Sequence, residues 1–191
     1  MKFFRSLNFP NSLTLIRLIL SPLILPLFLV YFLPCNIFFI NFLIALFFGF
    51  LSLTDFLDGY IARKYNMETN LGKALDPIAD KFLVTSTLIS LLAVQKIYFF
   101  WVIILIGREI FMMALRQIAL ENNTTIKVSI YGKVKTTFQM LMLIVLILNP
   151  CQSLCINSAW NIIEFILIFI TLSLSVFSAF QYYINFNRGY L

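Results

Sequence analysis

Histidine is missing from the 191 residues of the chain. Its absence excludes a Ser-His-Asp or Cys-His nucleophile and every histidine-ligated metal centre. Proton transfer then falls to Asp, Glu, Lys, Tyr or Cys, and a divalent cation would be held mainly by oxygen, which favours magnesium or manganese over zinc. Cysteine is scarce. Cys35, Cys151 and Cys155 show neither a metal-site spacing nor a C-x-x-C pair. They read as small apolar side chains with free thiols, a disulfide being the alternative. Charge is sparse as well: 12% of the residues are charged and 61% are hydrophobic. No polar stretch is long enough for a second domain, so residues 1–191 read as a single membrane domain.

What the chain has instead is long apolar runs. Six can span a bilayer of about 30 Å: Leu13 to Leu33, Ile37 to Gly59, Ile78 to Val94, Tyr98 to Leu120, Thr136 (or Gly132) to Leu148, and Ala159 to Ile184. The fold class expected is all-α, a polytopic membrane protein with six transmembrane helices. Lys2 and Arg5 ahead of the first run resemble a signal peptide, but the run is too long, carries Arg17 and lacks a small-residue cleavage site. It reads as a retained first helix; the bland alternatives to a role at a site are capping of that helix for Asn11 and Thr14 and reaching back to the interface for Arg17.

Lysine and arginine cluster at the N-terminus, between runs two and three, between runs four and five, and at the C-terminus; Lys96, in the tight turn Gln95-Lys96-Ile97, is the only basic residue in the other connections. By the positive-inside rule both termini are cytoplasmic. The net charge of +6 then reflects topology and attraction to anionic headgroups, and nucleic acid is not an expected partner.

Every aspartate lies in one short stretch: Asp55, Asp58, Asp76 and Asp80. Carboxylates are costly in or near lipid, and four of one sign repel one another. Their concentration asks for a counter-charge, and a divalent metal is the natural one. Asp55 and Asp58 are three apart and Asp76 and Asp80 four apart, so each pair shares a helix face. Gly59 beside Asp58 lets a ligand approach the backbone. Ala62 continues the Asp55 stripe and keeps it narrow, Arg63 follows at its mouth, and Gly72 precedes Asp76 by one turn. Pro77 disfavours helical geometry at Asp76. Either Asp76 caps the third helix with Pro77 in the first turn, or that helix begins earlier, near Thr69 or Asn70, and bends.

The string Asp55-x-x-Asp58-Gly59-x-x-Ala62-Arg63-x8-Gly72-x-x-x-Asp76-x-x-x-Asp80 resembles, without departure, the signature of the CDP-alcohol phosphatidyltransferases. The resemblance implies a six-helix membrane enzyme, active as a homodimer, with two magnesium or manganese ions. It implies that Asp55, Asp58 and Asp76 are metal ligands, that Asp80 is both ligand and catalytic base, and that Gly59, Ala62, Arg63 and Gly72 line the CDP site.

Three further segments narrow the acceptor: Asn11-Ser12-Leu13-Thr14-Leu15-Ile16-Arg17; Gly107-Arg108-Glu109-Ile110 with Leu115-Arg116; and Gly132-Lys133-Val134-Lys135-Thr136-Thr137-Phe138-Gln139-Met140. They resemble a bacterial branch of that family. The resemblance implies CDP-diacylglycerol as donor, sn-glycerol 3-phosphate as acceptor, and a place in the bacterial cytoplasmic membrane with the active site facing the cytoplasm. Arg108, Arg116, Lys133 and Lys135 are the candidate cations for the acceptor's phosphate, and Gln139 shares a helix face with Lys135. An Arg108–Glu109 structural pair and simple topological lysines are the bland alternatives. Another acceptor (phosphatidylglycerol, inositol or serine) and a cation transporter are the other functions considered; against the transporter, the carboxylates sit at one membrane face.

Overall fold

The computed structural model describes residues 23–64, 70–121, 130–149 and 159–188. The expectations for Asn11, Thr14, Arg17, Cys151 and Cys155 lie outside the described residues. Those described are helical apart from short connections, and no strand occurs among them. The helices are α1 (Leu23–Cys35, closing in a 3₁₀ turn at Leu33–Cys35), α2 (Phe38–Lys64), α3 (Asn70–Ala93), α4 (Phe99–Glu121), α5 (Ile130–Leu148) and α6 (Ala159–Arg188). Tyr131–Leu148 and Ala159–Ile184 are long and apolar enough to cross a membrane by length and composition. The apolar stretches Leu23–Cys35, Phe38–Thr54 and Lys81–Ala93 are shorter.

Several helices run past the apolar runs that announced them. α2 continues beyond Gly59 to Lys64, α6 beyond Ile184 to Arg188, and α3 begins at Asn70. The early start of α3 settles the position of Pro77, which lies inside the helix. An apolar run measures hydrocarbon thickness, whereas helix hydrogen bonding continues through polar residues until a breaker or cap stops it.

By its contacts the chain divides into two units, Met1–Lys96 with Ile147–Gln152, and Ile97–Leu146 with Ser153–Leu191. In the first unit α2 packs against α3. α1 buries Leu25, Leu29 and Leu33, one residue per turn, and Phe28 meets Phe47 of α2 edge-on at 6.1 Å. α2 buries Asn41, Ile44, Ala45, Phe48 and Leu51 while exposing Phe39, Phe42, Leu43, Leu46, Phe50 and Leu53. A helix apolar on both faces suits a lipid solvent. The hydroxyls of α3 bond their own backbone, Thr87 to the carbonyl of Leu83 at 2.7 Å and Ser90 to that of Ser86 at 2.7 Å, so they can be buried without another partner.

Lys96 is buried and donates to the carbonyl of Asn149, just past the end of α5, which also accepts from Asn41 Nδ2 at 3.3 Å. The lone basic residue of an expected outer loop thus serves a helix C-terminus, where carbonyls lack intrahelical donors and a cation is favoured.

In the second unit α4 packs along α6, and the polarity pattern is inverted. α6 exposes Ile162, Phe165, Ile166, Phe169, Val176, Phe177 and Phe180, yet buries Thr171, Ser175 and Ser178. Small hydroxylated residues inside and large apolar residues outside is the arrangement of a helix packed within lipid.

Candidate active site

The two aspartate pairs sit on helical backbone, Asp55 and Asp58 near the end of α2, Asp76 and Asp80 in the first half of α3. Helix geometry places the members of each pair about one turn apart on one face. Residues 65–69 join those two ends and can span no more than about 20 Å, so the pairs occupy the same end of the α2–α3 hairpin. Gly59, Ala62 and Arg63 lie on α2 and Gly72 on α3. The side chains of these eight positions lie outside the described residues, and among the described residues no group of three or more Cys, Asp or Glu is placed to hold a metal. The donor set itself is four carboxylates with no imidazole in the chain, which fits a hard, oxygen-seeking divalent cation.

The second unit holds a cluster of charge. α4 buries Val102, Leu105, Glu109, Met112, Leu115 and Ala119 at helical spacing, so Glu109 is the one acid in an otherwise apolar stripe. Its Oε1 accepts from the Lys135 ammonium of α5 and from Arg108 Nη1 at 3.0 Å. The same ammonium donates to Gln139 Oε1, one turn further along α5. Arg108 Nη2 donates to Ser178 Oγ of α6 at 2.8 Å, and that hydroxyl donates onward to the carbonyl of Ser175 at 3.1 Å. Arg108 Nε and Gln139 Nε2 are buried donors without an acceptor among the described residues.

The four candidate cations therefore divide. Lys135 is fully buried and Arg108 half-buried, both held by Glu109, while Arg116 and Lys133 are exposed. Lys133 and Lys135 are two apart, about 200° around a helix, so one faces the core when the other faces out. Arg116 lies with its guanidinium carbon 5.9 Å from the centroid of the Tyr182 ring of α6.

The Arg108–Glu109 pair, which the sequence offered only as the bland alternative to a phosphate-binding Arg108, is formed, and Lys135 and Gln139 do share a face. Sequence reasoning overlooked α6, which supplies Ser178 to Arg108 and Tyr182 to Arg116. The available signal was a polar stripe at helical spacing, Thr171, Ser175, Ser178 and Tyr182, in a segment otherwise apolar.

A family model of CDP-alcohol phosphatidyltransferases matches residues 7–177. Among relatives called CDP-diacylglycerol–glycerol-3-phosphate 3-phosphatidyltransferase, the Rickettsia typhi protein is 36% identical over 176 residues, covering 92% of this chain and 95% of the relative. The Haemophilus influenzae protein is 38% identical over 181 residues, covering 92% and 91%. The Shigella flexneri serotype 5b protein is 36% identical over 181 residues, covering 92% of each. With the full aspartate signature carried on α2 and α3 and a match over nearly its whole length, the chain belongs to the CDP-alcohol phosphatidyltransferase family.

Proposed function

We propose that this chain transfers the phosphatidyl group of CDP-diacylglycerol to sn-glycerol 3-phosphate, giving phosphatidylglycerophosphate and CMP. The observation that carries this reading is the end-to-end similarity to relatives of that name, at 36–38% identity over 92% of the chain. It is supported by the undeparted signature on the joined ends of α2 and α3.

Asp55, Asp58, Asp76 and Asp80 would hold the divalent ions, magnesium or manganese and two in number. Bound there, they would neutralise the diphosphate and stabilise the departing phosphate. Gly59, Ala62 and Gly72 leave room along two helix faces for the CDP moiety, with Arg63 as its cation. Asp80 takes the proton from the acceptor hydroxyl as that oxygen attacks the lipid-side phosphorus. The bond from that phosphorus to the CMP oxygen breaks, and CMP leaves with the electron pair. Arg116 and Lys133 are the exposed cations for the acceptor's phosphate, and Arg108 and Lys135 supply charge from within the unit. The wider reading is a single domain of six spans, both termini cytoplasmic, acting as a homodimer in the bacterial cytoplasmic membrane with the active site facing inward.

Purified protein given CDP-diacylglycerol, magnesium and sn-glycerol 3-phosphate is expected to release CMP, and to stop on chelation until magnesium or manganese is restored. Release with serine or inositol but not with sn-glycerol 3-phosphate would overturn the acceptor assignment.

A further inference from the structure

The exposed and the buried cations of the second unit are held in different ways, and the difference has a chemical consequence. Arg108 and Lys135 rest on a carboxylate, Glu109. A carboxylate competes with any phosphate for the same N–H donors. Arg116 makes no ion pair with a described residue, and its described partner is the face of the Tyr182 ring, 5.9 Å from centroid to guanidinium carbon. An aromatic face attracts a cation through its quadrupole without accepting conventional hydrogen bonds at the guanidinium edge. The fork of donors stays available for an oxyanion while its direction is set.

Tyr182 is equipped to set that direction. It is 4% exposed, whereas its neighbour Tyr183 is 45% exposed. Met112 and Leu115 of α4 bury with it, and Ala179 packs against the same cluster. One turn earlier on α6, Ser178 holds Arg108 at 2.8 Å. Arg108 and Arg116 are eight apart on α4, and Ser178 and Tyr182 are four apart on α6, so the two arginine contacts lie along one α4–α6 seam. The Ser178 contact pins the register, and the apolar seat fixes the ring.

We propose that Tyr182 is a positioning residue that aims Arg116 at the phosphate of the acceptor, so that α6 contributes to selecting a phosphate-bearing alcohol. The inference rests on the reading of Arg116 as a cation for that phosphate. In Tyr182→Leu the KM for sn-glycerol 3-phosphate rises about two- to fivefold, the worth of an exposed cation–π contact, while the KM for CDP-diacylglycerol stays put. Tyr182→Phe keeps the ring and returns the acceptor KM to the wild-type range. Should Tyr182→Leu not accumulate in the membrane, Tyr182→Met, closer in volume and equally without a ring, carries the same expectation. An unchanged acceptor KM without the ring, an equal rise in both KM values, or a Phe variant as impaired as the Leu variant overturns the proposal. Arg116→Ala separates the two layers. If it raises the acceptor KM while loss of the ring does nothing, the positioning role alone falls. If Arg116→Ala also leaves the acceptor KM unchanged, the phosphate-binding reading of Arg116 falls and takes the positioning role with it.

Discussion

Lys135 is the residue whose part in the molecule depends most on its surroundings. Its ammonium is fully buried and shared by Glu109 and Gln139. Removing one member of a buried ion pair costs about 3–5 kcal/mol, because the other charge stays desolvated. Lys135→Ala is therefore expected to lower stability by about 3 kcal/mol or more, read as a fall in the thermal inactivation midpoint in detergent. Lys133→Ala, at an exposed position, should leave that midpoint nearly unmoved. Equal midpoints for the two variants would contradict the burial. For the proposed base, Asp80→Asn keeps one oxygen ligand and loses the proton acceptor. Turnover should fall about a hundredfold or more while CDP-diacylglycerol still binds; wild-type turnover would remove Asp80 from that role. The place of Lys135 was partly legible in sequence. The i, i+4 spacing of Lys135 and Gln139 announced a shared face, but no spacing says whether that face meets lipid, water or a carboxylate.

At the scale of elements, the turn after α3 shows what a short segment can settle alone. Gln95 has φ 58°, in the left-handed region. Its N–H bonds the carbonyl of Leu92 at 3.0 Å, and the N–H of Lys96 bonds that of Leu91 at 2.9 Å. This is the paired closure of a helix C-terminus that normally carries glycine at the left-handed position. A side chain there costs about 1 kcal/mol, so Gln95→Gly is expected to raise the melting midpoint slightly, and Gln95→Val to lower it. A lower midpoint for the glycine variant would argue against the left-handed turn. The sequence announced a tight turn at Gln95-Lys96-Ile97 and located each helix by its apolar run. It was short at the ends of α2 and α6 and at the start of α3, because hydropathy reports the solvent of the side chains and not the reach of the backbone hydrogen bonds.

At the scale of the whole molecule, the large apolar side chains left exposed on α1, α2, α4 and α6 far exceed the scattered ones normal for a soluble surface. Lipid is the solvent that makes such a surface stable. The proposed orientation puts Cys35, exposed and free at the end of α1, on the outer side. In a Cys151→Ser, Cys155→Ser background, a membrane-impermeant maleimide should label Cys35 in intact spheroplasts. Labelling only after lysis would reverse the proposed orientation. The sequence by itself determined the helical class, the membrane setting, the family and the residues proposed for the donor chemistry. Those depend on local quantities: apolar run length, the 3.6-residue period and fixed spacings within two adjacent segments. Only the tertiary structure decided which cations are spent on Glu109 and which face out, and that Ser178 and Tyr182 of α6 belong beside arginines some seventy residues earlier in the chain. Such pairings arise from helices packing over long sequence separations, where burial and neighbouring charge set a side chain's role.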